Sequence, residues 1–319
     1  MADRCYAGRA HSRLNFGRVL LRPTNPCALR SEKNNMNLID FQIFMALHPN
    51  ITAVFIGAIG ACVGSFLNVC IHRLPKGESI ISPPSHCACG QRIPVWFNVP
   101  LFGWLLLRGW AKCCGATISV QYPLVELITA LLFVTAFLIL SPVKAAIGCV
   151  FLSLLIILAG CDMQDMLVPD APNFLLVGLG LFFSVVAPSL HGETTSGLEI
   201  INRINSVTDS LVGIAVGTAL VWWIRTIASV IMGQEAMGEA DIILCAGVGA
   251  FCGWEGALFC LFGGSVIGVI IKLPSVLALF GPKKESESVP FVPSMAIAAA
   301  LWFFRGPELI TAWHLWVNS

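Results

Sequence analysis

Two aspartates occupy positions where a carboxylate is expensive to keep. Asp162 directly follows an almost uncharged apolar run, LLIILAGC at 154–161, and Asp241 sits in MGEADIIL at 237–244, where a Gly-containing turn leads into another apolar run. An ionisable side chain at or inside a membrane boundary has given up solvation that some partner must replace, so its presence points first to function. Each acid is the candidate partner of the other. Two carboxylates sharing a poorly solvated site cannot both ionise cheaply, so one keeps a proton while the other can activate water. That is the chemistry of peptide hydrolysis without a metal or a covalent intermediate. The competing assignment is helix capping, for which Asp is well suited at an N-terminus, and Asp241 is the more open to it.

A second constellation lies in the one long polar insert, where Cys87, Cys89, Cys113 and Cys114 cluster. Four thiolates suit a tetrahedral metal, and the alternatives are a disulfide pair or free, redox-active thiols. Cys62, Cys70, Cys149, Cys161, Cys245, Cys252 and Cys260 sit in apolar runs instead, where a thiol behaves as a small hydrophobe.

The elements that must hold these residues are apolar helices. A mean hydropathy of +0.81, with 56% hydrophobic and 12% charged residues, describes an all-α polytopic membrane protein. A net charge of +1 gives no support to a nucleic-acid partner, so the partner implied by composition is the lipid bilayer. Apolar runs at 51–70, 123–140, 144–161, 173–188, 208–230, 241–254, 256–280 and 292–304 give about eight transmembrane segments at roughly 20 residues per crossing. The run 241–254 is short, and Gly253 to Gly256 reads as a turn. Arg73, Lys76, Arg92, Arg108 and Lys112 make the cysteine insert cytoplasmic by the positive-inside rule. Alternation then places Asp162, Asp241 and the loop bearing Lys283 and Lys284 on that same face.

The expected domains are an extension at 1–50, a first transmembrane helix at 51–72, the cytoplasmic cysteine loop at 73–121, a transmembrane core at 122–305 and an interfacial tail at 306–319. Residues 1–35 hold seven of the 19 basic residues and no apolar run, so they read as a disordered tail or a misassigned start and not as a signal peptide. In the tail, Leu309 to Val317 is too short to cross, with Trp313 and Trp316 as interfacial anchors.

Several polar residues near these features invite a role. Asp165, Asp170, Glu235 and Glu239 surround the two aspartates in loops without Lys or Arg, which makes a negative mouth for a cationic segment, or else ordinary solvated loop charge. Glu126 sits at the mouth of an apolar run, as a functional acid or as a helix-start carboxylate. Asn68 and Arg73 serve either a site or the interface.

In order, GSFLNVCIHRLP at 64–75, the cysteine loop with WFNVP at 96–100 and LRG at 107–109, YPLVE at 122–126, Asp162 to Asp170, GEAD at 238–241, GVGAFCGW at 247–254 and PFVP at 290–293 closely resemble the prepilin peptidases, the membrane aspartic proteases of type IV pilus and type II secretion systems. The resemblance covers essentially Ile51 to Phe304. It implies cleavage of the basic leader of a prepilin or pseudopilin after a Gly at the cytoplasmic face of the bacterial inner membrane, then N-methylation of the new N-terminus with S-adenosylmethionine. Asp162 and Asp241 match the catalytic aspartates, the latter in the G-x-G-D motif. Arg108, Gly109 and Glu126 match positions associated with methyl transfer, and the four cysteines match two C-x-x-C pairs that hold a structural zinc.

This chain departs from the pattern in places. Ala240 replaces the second Gly, Ile243 a common Lys and Trp110 a basic residue, while the cysteine pairs are C-x-C and C-C. Two rivals stand beside the protease: an ion-coupled transporter, since paired acids in apolar helices also bind ions, and an inactive assembly scaffold.

Overall fold

The computed structural model describes residues 47–82, 87, 89–192, 197–233, 237–277 and 290–317. The extension before residue 47, Glu235, Lys283 and Lys284 lie outside them. The chain divides into Met1–Ile51 and Thr52–Ser319, and only the start of the first helix represents the former among the described residues.

That first helix, α1, spans Pro49–Arg73, and a short α2 follows at Phe102–Leu107 within the cysteine loop. The remaining helices are α3 (Gln121–Ile139), α4 (Pro142–Asp165), α5 (Asp170–Val186), α6 (Glu199–Met232), α7 (Glu239–Leu277) and α8 (Val292–Val317). Among the described residues there is no strand, only an isolated bridge between Trp110 and Thr117. The protein is an all-α, polytopic membrane protein. Helices α1, α3, α4, α6 and α7 are long and apolar enough to cross a bilayer, and α5 is a shorter apolar helix. Their outward faces carry exposed Phe55, Leu131, Phe182, Trp223 and Ile270, a surface that only lipid or another apolar partner can cover.

The ends of the helices follow local chemistry. Pro142 opens α4 at a position where its missing N–H costs nothing. The same helix stops at Met166, whose left-handed conformation (φ 51°) turns its N–H back to the carbonyl of Asp162. Gly233 closes α6 in the same manner, without the steric penalty of a side chain.

Packing concentrates on α7, which lies against α5, α6 and α8, while α4 packs on α3, α5 and α8. At the α6–α7 crossing, a Cβ on Gly213 would collide with the backbone of Gly249, so the two helices touch backbone to backbone. The aromatic centre of the core is Phe151, with ring centroids 4.7 Å from Phe251 and 5.1 Å from Phe303. A second cluster, Leu67, Cys70, Ile71, Val125, Ile157 and Cys161, joins α1 to α3 and α4.

The turn expected after 241–254 is present. Gly253 leaves helical geometry (φ 71°, ψ −177°), and the Cys245 thiol meets the carbonyl of Ala257 at 3.5 Å, so the two runs of α7 fold back on each other about that glycine. The turn deprives Ala250 of its helical donor. His191 Nε2 at 3.2 Å and Ser210 Oγ at 3.0 Å replace it. The last helix likewise continues through Pro307 to Val317, so residues 306–317 prolong α8 where a separate tail was expected.

Candidate active site

Asp162 lies in the last turn of α4, 8% exposed, and its Oδ2 accepts the N–H of Val292 at 3.0 Å. Val292 is the first residue of α8, so this carboxylate ties the end of one helix to the start of another. Asp241 is the third residue of α7, also 8% exposed, and its Oδ2 accepts the N–H of Gly238 at 3.3 Å. An acid reaching back from the third position to the capping residue is one half of a capping box. Asp162 is within Coulombic reach of Asp241. The structure therefore brings the two acids together and also makes each a helix cap. The two roles are compatible: a single oxygen suffices for the cap, and a carboxylate has further acceptor capacity for a substrate or water.

Behind Asp241, Asn173 of α5 is fully buried and donates Nδ2 to the carbonyl of Ala240 at 3.3 Å. Its Oδ1 has no partner among the described residues. Ala240 itself is helical and is not among the positive-φ residues, so the Gly that it replaces is not needed here for backbone freedom. Asn173 was missed from sequence. Its only signal was one amide in an otherwise apolar stretch.

The expected acidic mouth is partly neutralised. Asp165, Asp170 and Glu239 are exposed, but Glu239 Oε1 sits 3.4 Å from Arg225 Nη1, a cation that comes from α6 and not from either loop. Asp170 stands in the first turn of α5, where the helix dipole favours an acid regardless of any ligand.

The four cysteines converge despite their altered spacing. Their Sγ atoms all lie within 4.8 Å of one another, with 3.5 Å between Cys87 and Cys114, 3.4 Å between Cys89 and Cys113, and 3.9 Å between Cys113 and Cys114. A tetrahedral zinc with bonds of about 2.3 Å needs sulfurs roughly 3.8 Å apart, so the donor set fits the ion. Two tight turns make this possible: Gly90 N–H bonds to Cys87 O at 2.8 Å, and Gly115 N–H to Ala111 O at 2.8 Å, each Gly at positive φ. The backbone N–H of Cys89 and then the thiol of Cys113 pull Cys87 down to about 7, while contacts with Cys87 and Cys89 push Cys113 up to about 12. The cluster thus ionises one sulfur first, and a bound metal would displace the remaining protons to water.

Between this loop and helices α1 and α3 is a cavity of about 1030 Å³, walled in part by Asn68, His72, Trp104, Lys112, Tyr122 and Glu126. Glu126 is buried, and its Oε2 accepts the N–H of Leu101 at 2.7 Å. Leu101 has a φ of 62°, so Glu126 holds a strained residue that starts α2. Arg108 and Gly109 stand off the wall, in the left-handed turn (φ 51° and 77°) that ends α2. A Cβ on Gly109 would lie 3.2 Å from the Trp104 ring, so the turn shapes the cavity through that indole. Gln164 Nε2 donates to Gln121 Oε1 at 2.9 Å, joining the Asp162 end of α4 to the start of α3 beside the cavity.

Residues 58–140 match the family described as the Bacterial Peptidase A24 N-terminal domain, and residues 149–273 match the Type IV leader peptidase family. The chain is 31% identical over 292 residues to a prepilin leader peptidase/N-methyltransferase of Xanthomonas campestris pv. campestris, covering 84% of this chain and 96% of that protein. It is 34% identical over 283 residues to one of the same name from Pectobacterium carotovorum subsp. carotovorum (81% and 95%), and 36% identical over 220 residues to one from Klebsiella pneumoniae (66% and 90%). No solved structure matches.

Proposed function

We propose that this chain, which belongs to the prepilin leader peptidase/N-methyltransferase family, cleaves the leader of a prepilin or pseudopilin with Asp162 and Asp241 and then methylates the new N-terminus. Supporting the first step is the placement of both acids at one end of the helix bundle, buried and within Coulombic reach of each other. One carboxylate deprotonates the attacking water while the other, holding a proton, polarises the scissile carbonyl. The backbone N–H groups of Val292 and Gly238 hold both carboxylates in place. Asn173 fixes Ala240 and with it the start of α7. The site opens at the cytoplasmic face of the inner membrane, so the substrate's apolar helix stays in lipid while its basic leader meets Asp165, Asp170 and Glu239.

For the second step, the cavity beside the cysteine loop is the chamber, and the four cysteines hold a structural zinc that fixes its outer wall. S-adenosylmethionine supplies the methyl group there. Glu126 positions the wall through Leu101, and Arg108 and Gly109 act through the turn they form, not by touching the donor.

The test is incubation of the purified protein with a prepilin-type substrate and S-adenosylmethionine, read by mass spectrometry. Loss of the leader mass with a gain of one methyl group is expected, and Asp162→Asn and Asp241→Asn should each abolish the loss. An intact, metal-loaded protein that never shortens the substrate would return the chain to the scaffold assignment.

A further inference from the structure

Asn68 and His72 lie one helical turn apart on α1 and both line the cavity. Asn68 is 2% exposed, and its Nδ2 donates to the carbonyl of Tyr122 at 3.0 Å. Because a carbonyl can only accept, this bond fixes the amide's orientation and leaves Oδ1 as the remaining acceptor. That Oδ1 has no partner among the described residues, and neither has His72 Nε2. The ring of His72 is held 5.0 Å from that of Tyr122 at an interplanar angle of 31°. Two unpaired buried polar atoms on one wall of one cavity are costly unless something occupies them.

We infer that Asn68 Oδ1 and His72 Nε2 form the receptor for the substrate's terminal amine, with His72 as the catalytic base that makes this amine nucleophilic; this rests on the methyl-transfer half of the function proposed above. A free α-amino group is mostly ammonium at neutral pH, with a pKa of about 7.7–8.0, and an ammonium has no lone pair to attack with. Bound as ammonium, it donates to both acceptors. His72 Nε2 takes one proton, and the freed lone pair forms the bond to the methyl carbon of the sulfonium donor. The carbon–sulfur bond breaks with its electron pair left on sulfur. The products are a neutral thioether, an N-methylammonium and a His72 imidazolium that returns its proton to water. Nearby charges bear on this proton: Lys76 and Asp165 are within Coulombic reach of His72, Tyr122 faces its ring, and Lys112 and Glu126 lie further round the wall. Asp165 belongs to α4, three residues beyond Asp162, so the charge at that end of α4 is felt at His72.

The experiment uses the full chain in detergent and a synthetic peptide that begins at the mature N-terminus, so cleavage is not required. With S-adenosylmethionine present, His72→Gln should lower methylation roughly tenfold at about pH 7 and more at lower pH, and the deficit should shrink above about pH 8, where the amine loses its proton unaided. Without the donor, Asn68→Ala should weaken peptide binding roughly tenfold, as expected for a lost bond to a charged group. A loss in His72→Gln that is equal at every pH, or no loss, would overturn the base. Undiminished binding in Asn68→Ala would overturn the receptor. A wild-type protein that never methylates the peptide would remove the methyl-transfer function together with this inference.

Discussion

The aspartate site and the cysteine loop are held in opposite ways. Around Asp162 and Asp241 the neighbours are buried helix, and each carboxylate is fixed by a backbone N–H from a helix start. Around Cys87, Cys89, Cys113 and Cys114 the chain is largely exposed, with tight turns and sulfur contacts in place of a core. A site set by helix packing tolerates small changes of side chain but not of spacing. A site set by turns tolerates changes of spacing, because each turn can reposition its own sulfur, provided that the four thiolates still meet. This explains how C-x-C and C-C replace the commoner pairs, and why Ala240 replaces Gly without disturbing the start of α7.

Substituting either acid should break this contrast most sharply. Asp162→Asn or Asp241→Asn keeps an oxygen to accept the capping N–H, so the thermal midpoint should move little while cleavage falls roughly a thousandfold. Circular dichroism beside a cleavage assay separates the two effects, and a large loss of helix would mean that the charge itself holds the bundle. Next, Cys113→Ser should reduce bound zinc and lower methylation by roughly 10–100-fold, while cleavage keeps most of its rate. Metal analysis with both assays reads this, and equal collapse of the two activities would show that the loop and the bundle are not separate in their support.

Smaller effects sharpen the picture within the bundle. Asn173→Ala removes the donor to Ala240 and should cost about 1–3 kcal/mol of stability, with cleavage falling roughly tenfold as the start of α7 loosens. Unaltered cleavage would leave Asn173 with a purely structural role. Least of all, Asp165→Asn combined with Glu239→Gln should raise KM for a basic leader a few-fold and flatten its salt dependence with little change in kcat. Arg225 already partners Glu239, so most of that effect should come from Asp165.

Legibility differed between these regions for physical reasons. The apolar runs marked the helices because a bilayer demands long stretches of apolar residues, and the acids stood out against that background. The turn at Gly253 was legible as a Gly-rich interruption, but the bonds from His191 and Ser210 to Ala250 beside it were not, because they come from other parts of the chain. Arg225 was legible as a charge near a helix end. Its pairing with Glu239 was not, because nothing in the order of residues says which helix faces which loop.

From sequence alone came the all-α membrane class, the candidate acids and the four candidate metal ligands, since these follow from residue type and local spacing. Only the tertiary structure decided that both acids cap helix starts within Coulombic reach of each other, that four irregularly spaced sulfurs converge, and that Asn68 and His72 share a cavity wall. Those facts depend on contacts between segments far apart in the chain, and helix packing alone determines which of them meet.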